Sequence, residues 1–477
     1  MANLLKNGRV KFFQNRVVLI SFILLAFAGL SLVLFWRLDK APPNVAGDEV
    51  TVLNDILRII HAPGKIKPFS LVYDGSHSAL GFYFLAFVVK FFSEENAILG
   101  MRVASVIFGI GVLVAFLVFL RTKFAFGPSL LATLLLGTNY VFLNMSRSSW
   151  MGFGSGTGLI CGLLSFIFVD KAISKKQYRW IIVAGVFAGI GLYGYNGTKV
   201  FPFAIILYIV YLLCSKRIKL KDAVITALMF VVTTFIVFLP FLFAILDNYD
   251  YYMTRPRGVY IGSVPTPYYE HTEKLGIFLH QVSYTARGFL FLDPRVSGEG
   301  LENKRYGPEH EALVDPVASI LFFAGVITLF YFRNKNLLLP GISFVLALVV
   351  QIFARYPPNF SRGIFALLFV YAVVAALFDR LWNAKLGILH LRFALLLLTV
   401  LIGLWSVQHY FQWGSSKELA GFRAYAIEYE EVPLWVEAQK EAIKSGKPDI
   451  IISGGQWKES FKSSQKIEGN ASKSETT

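Results

Sequence analysis

Eleven stretches of this chain run free of Asp, Glu, Lys and Arg for fifteen to twenty-four residues, and no other feature constrains its fold as strongly. They are Val17–Trp36, Val103–Leu120, Ser129–Met145, Gly152–Val169, Trp180–Thr198, Val200–Cys214, Ala223–Leu246, Pro316–Phe332, Leu337–Ala354, Gly363–Phe378 and Phe393–Val407. A bilayer core takes about 20 apolar residues per helix, and within lipid every backbone polar group must be satisfied internally. The expected fold class is therefore an all-α polytopic membrane protein with about 11 transmembrane helices. With 55% hydrophobic and 16% charged residues, the 477-residue chain does not read as a string of soluble domains. Its two cysteines, Cys161 and Cys214, lie inside apolar runs, so no disulfide framework is expected, and no zinc-type Cys/His spacing occurs.

A formal charge of +16 could suggest nucleic acid, but its distribution follows the positive-inside rule instead. With the N-terminus cytoplasmic and the short run Leu80–Val89 lying at the interface, the cytoplasmic segments are 1–16, 121–128, 170–179, 215–222, 333–336 and 379–392. They hold 19 Lys and Arg against Asp170, Asp222 and Asp379. Taking 19 from the 46 bases and 3 from the 30 acids leaves 27 of each outside. If 80–92 crossed, the Lys-rich turns at 171–179 and 216–221 would face outward. The reading is an N-terminus inside, a retained signal anchor at Val17–Trp36, and a C-terminus outside in a plasma membrane. The organisation follows: 1–16 cytoplasmic; 17–246 a membrane module carrying the outer loop 37–102; 247–315 an outer loop; 316–407 the last helices; 408–477 an outer tail that is expected to fray after Lys458.

The cytoplasmic turns are too short to hold a substrate site, so candidate chemistry lies outside. Asp48 and Glu49 stand just beyond the first run and can supply a general base with a hydrogen-bonding partner; the same pair can equally cap and charge-compensate the helix that follows. His77 could meet a phosphate or be an ordinary satisfied histidine. Arg147, Lys199, Arg355 and Arg362 sit in short outer turns against the positive-inside trend. A lipid-linked phosphate would compensate them, as would snorkelling to outer headgroups. The loop from 247 offers Asp247, Tyr249, Asp250, Arg255 and Arg257, followed by Tyr268-Tyr269-Glu270-His271 and Asp293-Pro294-Arg295. Tyrosines beside acids suit sugar binding, and also suit an interfacial aromatic belt. Two acids, Asp247 and Asp250, do not specify a divalent ion, so neither metal nor other cofactor is indicated. No ionisable residue falls within the eleven runs, which argues against an ion-coupled transporter.

Taken in order, these residues resemble the GT-C membrane glycosyltransferases of the protein O-mannosyltransferase and lipid A aminoarabinose transferase type. Asp48-Glu49 after the first helix is similar to that family's acid pair. His77-Ser78-Ala79-Leu80-Gly81-Phe82-Tyr83 is similar to its polar residue, Pro-Pro, Leu and aromatics, with Ser78-Ala79 where the family has Pro-Pro. Arg102-Val103-Ala104-Ser105 is similar to Arg-x-Pro-Ser, with Ala104 replacing the proline. Ser146-Arg147, and Gly191-Leu192-Tyr193-Gly194-Tyr195 with Lys199, are similar to later outer turns. The likeness is good over 17–250 and only hydropathic over 251–407. It implies a GT-C-like fold with juxtamembrane helices in the first outer loop. It also implies inverting transfer of a sugar from a polyprenyl-phosphate donor to a protein, lipid or glycan outside the cytoplasm. Asp48 would be the base, Glu49 its partner, and Arg147, Lys199, Arg355, Arg362 and His77 would hold the phosphate. A lipid-linked donor also suits a protein with no cytoplasmic domain for nucleotide sugars. The rival readings are a flippase of lipid-linked sugars, which would call for inverted repeats and mid-membrane polar groups, and a non-catalytic scaffold. The partners implied are the bilayer, the donor and the acceptor, with no nucleic acid.

Overall fold

The computed structural model describes residues 16–73, 75–263, 274–289, 305–308, 311–332, 337–355, 357–384, 388–423 and 427–446. The segments 268–271 and 293–295 and the tail after Lys458 lie outside the described residues.

Each apolar run is helical in whole or in part, and further helices lie between and after the runs. In chain order they are α1 (Arg16–Phe35), α2 (Gly47–His61), α3 (Leu80–Val89), α4 (Ala97–Arg121), α5 (Phe126–Thr138), α6 (Tyr140–Arg147), α7 (Gly156–Lys175), α8 (Arg179–Gly191), α9 (Val200–Cys214), α10 (Leu220–Asp247), α11 (Tyr249–Val259), α12 (Lys274–Phe289), α13 (Pro316–Tyr331), α14 (Leu338–Ile352), α15 (Phe360–Trp382), α16 (Ile388–Gly414), α17 (Lys417–Arg423) and α18 (Val432–Ser445). Among the described residues six helices are long and apolar enough to cross a membrane, or seven if α5 and α6, bent by 64°, make one span. The apolar helices Leu24–Phe35, Arg179–Gly191, Pro316–Tyr331 and Leu338–Ile352 are shorter than that test requires, as is Leu80–Val89.

The departures from simple spans have local causes. The run Ser129–Met145 breaks at Asn139, whose side-chain oxygen accepts from the Val141 and Phe142 amides and restarts the helix as α6. The run Trp180–Thr198 stays helical only to Gly191 and then turns, re-forming at Asn196. Helix α15 lies at the centre of the bundle, 78% of its apolar window buried, with α5, α13 and α14 against it. Helix α8 meets α10 through Gly185 and Gly189, where a Cβ would come within 2.8 Å of Thr233 and 2.6 Å of Val237. Small residues one turn apart let two apolar helices approach closely.

The loop between α1 and α4 carries α2, α3 and a two-stranded antiparallel hairpin, β1 (Leu71–Val72) with β2 (His77–Ser78). The tail folds back over this loop: α18 packs on α2, Trp435 is buried, Val45 bridges Ile427, Gln439 Nε2 donates to Asn54 at 2.6 Å and Lys440 pairs with Glu94 at 2.8 Å.

Candidate functional site

Asp48 sits in the first turn of α2, half-buried. Its Oδ1 accepts from the Tyr73 hydroxyl and its Oδ2 pairs with Arg305 Nη1 at 2.8 Å. Tyr73 holds a left-handed backbone, φ +50°, with its amide donating to Asp55 at 2.9 Å. A non-glycine residue in that region costs about 1–2 kcal/mol, and such residues gather where surrounding contacts over-determine a site. Burial, and next the Asp48 carboxylate, push the Tyr73 pKa well up, so it serves as a neutral donor.

Around these groups stands a ring of aromatics. The His77 ring lies 5.0 Å from Tyr73, 5.6 Å from Phe153 and 5.5 Å from Tyr195. Trp150 lies 4.8 Å from Phe153 and 5.2 Å from Tyr306. Arg255, itself exposed, is close enough to the same ring to interact electrostatically with Tyr73, Asp48, Tyr195 and Tyr306. It is brought there by α11, which seats against Gly75. That glycine has φ +74°, and a Cβ would fall 2.6 Å from the Tyr251 carbonyl oxygen, so both conformation and space require glycine.

Helix α11 also gathers cations from other turns. Lys199 Nζ donates to Tyr252, whose hydroxyl donates to Asn196 at 3.1 Å. At the other end of the helix, the backbone amide of Arg355 donates to the Val259 carbonyl at 2.8 Å, and Arg362 Nη1 donates to the Arg355 carbonyl at 3.4 Å. Asp247, Tyr249, Asp250 and Arg257 instead face solvent, Asp250 pairing with Arg257 at 3.3 Å.

Three expectations are corrected by burial. Arg147 is fully buried beneath the loop. Its guanidinium donates to the carbonyls of Val33, Leu34, Trp36, Arg37 and Ala41 and to the Tyr410 hydroxyl, so it caps the end of α1 and has no donor left for a phosphate. Glu49 is also fully buried, pairing with Arg102 at 3.2 Å and with Arg423, and accepting from Ser149 at 3.2 Å and the Ala46 amide at 3.1 Å. Burial alone would raise its pKa, but Arg102 and Arg423 outweigh it and hold the carboxyl below the usual range. Glu49 thus realises the capping reading and anchors the loop one residue from Asp48. His77 is 1% exposed, and burial first, then Arg255, lowers its pKa to about 3, so it is no cation for a phosphate.

Arg305 and Arg423 escaped the sequence reading. Each pairs with an acid that lies 257 or 374 residues away. Among the described residues no group of three His, Cys, Asp or Glu could hold a metal ion.

A groove of ≈ 410 Å³ opens beside the ring, lined by Leu80, Phe84, Ile107, Phe108, Phe153 and Gly154 among others. It is almost wholly apolar and runs between α3, α4 and the turn Met151–Ser155 that precedes α7.

Residues 76–243, about a third of the chain, match the family of dolichyl-phosphate-mannose-protein mannosyltransferases. Among solved structures, the oligosaccharyltransferase of Archaeoglobus fulgidus in its apo form superposes with a TM-score of 0.54 at 13% identity, covering 84% of this chain and 56% of that one. The archaeal oligosaccharyltransferase AglB from Archaeoglobus fulgidus, in complex with an inhibitory peptide and a dolichol-phosphate, gives 0.52 at 13% identity, covering 86% and 56%. ArnT from Cupriavidus metallidurans bound to undecaprenyl phosphate gives 0.50 at 13% identity, covering 87% and 78%. The chain therefore spans little more than half the length of the oligosaccharyltransferase. No curated protein matches it.

Proposed function

We propose that this chain, a multi-pass membrane protein with the GT-C glycosyltransferase fold, transfers a sugar from a polyprenyl-phosphate donor to an acceptor hydroxyl or amide outside the cytoplasm. The observation that carries the reading is Asp48, partly accessible, joined to Tyr73 and Arg305 and flanked by Arg255 within an aromatic ring at the end of an apolar groove. A groove of that lining suits an isoprenoid tail. Aromatic faces with a few polar groups suit a pyranose. The structures of AglB with dolichol-phosphate and of ArnT with undecaprenyl phosphate support such a donor.

In the reaction proposed, Asp48 accepts the acceptor's proton as the acceptor oxygen or nitrogen bonds to the anomeric carbon. The bond from that carbon to the phosphate oxygen breaks on the opposite face, and its electron pair leaves with the lipid phosphate, inverting the centre. Arg255 and Arg305 stabilise the developing charge, which fixed cations in a partly desolvated site do well. Lys199 and Arg355, anchored at Tyr252 and beyond Val259 along α11, extend the positive field, with Arg362 behind Arg355. Tyr73 keeps Asp48 oriented.

Asp48→Asn tests this. Transfer from undecaprenyl-phosphate-linked sugar in membranes should fall by about 10²- to 10⁴-fold at unchanged protein level, while lipid binding persists. Full activity in that variant ends the assignment.

A further inference from the structure

Counting protons fixes the tautomer of His77. The Ser76 hydroxyl donates its single hydrogen to the Tyr73 carbonyl at 2.7 Å and also lies 2.7 Å from His77 Nδ1. With that hydrogen spent, the contact forms only if Nδ1–H donates to Ser76 Oγ. Nε2 is then a bare acceptor. It is fully buried and has no partner among the described residues. A buried polar atom without a partner is costly, and such atoms in native folds call for an explanation.

What stands in front of Nε2 is a glycine. A Cβ at 154 would fall 2.9 Å from Nε2 and 3.2 Å from the Tyr195 amide nitrogen, so any other residue there would fill the approach. Gly154 itself lines the apolar groove and belongs to the π-helical turn Met151–Ser155, a kind of irregularity that recurs at functional sites. Nε2 thus sits one glycine behind the groove, inside the ring of Tyr73, Phe153 and Tyr195.

Resting on the transferase reading, we propose that His77 Nε2 accepts a hydrogen bond from a hydroxyl or amide N–H of the donor sugar, reached as the Gly154 turn yields, and so helps to choose the sugar. An ionised phosphodiester carries no hydrogen to give a bare nitrogen, so the lipid phosphate is not the group read here.

Two variants separate the ring's nitrogens. His77→Gln carries its amide, with an acceptor oxygen, out to the ε position, whereas the amide of His77→Asn reaches only the δ position and leaves the ε position without an acceptor. The probes are undecaprenyl phosphate alone and undecaprenyl phosphate carrying mannose, glucose, galactose or N-acetylglucosamine, bound to purified protein in lipid nanodiscs. Wild-type protein should bind one sugar-bearing probe more tightly than the bare lipid phosphate. His77→Asn should lose that preference by about tenfold, as for one lost hydrogen bond in a buried site, with bare lipid phosphate bound as before. His77→Gln should keep most of it. Equal preference in His77→Asn and wild type overturns the proposal, as does an equal loss for both kinds of probe, which would mark a merely structural or phosphate role. Wild-type binding to every probe without transfer of any sugar would instead overturn the function on which it rests.

Discussion

At the scale of the residue, two cations suggested by sequence prove to be something else, and each difference can be measured. Arg147 looks like a phosphate ligand because it breaks the positive-inside trend, yet its five N–H groups are spent on carbonyls of Val33, Leu34, Trp36 and Ala41 and on the Tyr410 hydroxyl. Arg147→Lys keeps the charge but loses the planar fork. It should cost more than about 3 kcal/mol by orphaning several buried carbonyls, read as a lower Tm and folded yield in detergent. A phosphate ligand would predict the opposite, a stable protein in which lysine partly substitutes. His77 gives a pH test. Its pKa is depressed to about 3 by burial, against about 6.5 in an unfolded chain. Between these values the unfolded chain binds the proton and the folded one does not, so this residue's contribution to stability is intact above pH 6.5 and erodes as pH falls toward 3. His77→Asn should therefore show a smaller loss of Tm between pH 7 and pH 5 than wild type, and an identical loss would show that His77 is not buried neutral.

At the scale of the element, the tail behaves as a clamp on the loop that carries Asp48. Arg423 at the end of α17 donates to Glu49 and to the Pro43 carbonyl at 2.7 Å, while Arg102 reaches the Leu38, Pro42 and Asn44 carbonyls at 3.1, 2.9 and 2.7 Å. The triad has one acid to two bases, all buried. Removing the acid leaves two buried charges uncompensated, so Glu49→Gln should destabilise by roughly 3–5 kcal/mol, and Arg423→Gln by less, since Arg102 still pairs the carboxylate. Proteolysis of the 37–102 loop should accelerate in the same order; a Glu49→Gln protein as stable as wild type would remove the clamp. Little of this was legible in the sequence. Charge-free runs reveal helices because bilayer thickness imposes a length on them, and Asp48, Lys199 and Arg255 were visible because they fall in the charged segments between such runs. Arg305 and Arg423 carry no periodicity or motif of their own. Their roles come from tertiary closure over hundreds of residues, which leaves no local signature.

At the scale of the whole molecule, the same clamp constrains topology independently of charge counting. Lys440 pairs with Glu94 and α18 packs on α2, so the tail and the first outer loop must lie on one side of the membrane. Between Glu94 and Lys440 the chain passes through α4, the bent pair α5 and α6, α7, α8, α9, α10, α13, α14, α15 and α16. If each crosses, with the bent pair as one span, the crossings number ten, an even count that agrees with the contact. The short helices α8, α13 and α14 could then fail to cross only in pairs, because losing one would put α18 opposite the loop it touches. With 19 bases on the other face, the positive-inside rule predicts Lys175 inside and Ser445 outside, both exposed. In a background with exposed Cys214 replaced by serine, a membrane-impermeant maleimide applied to intact cells should label Ser445→Cys and leave Lys175→Cys unlabelled until the cells are lysed. Labelling of Lys175→Cys from outside would invert the orientation and place Asp48 in the cytoplasm, where nucleotide sugars are available and a lipid-linked donor would no longer be required.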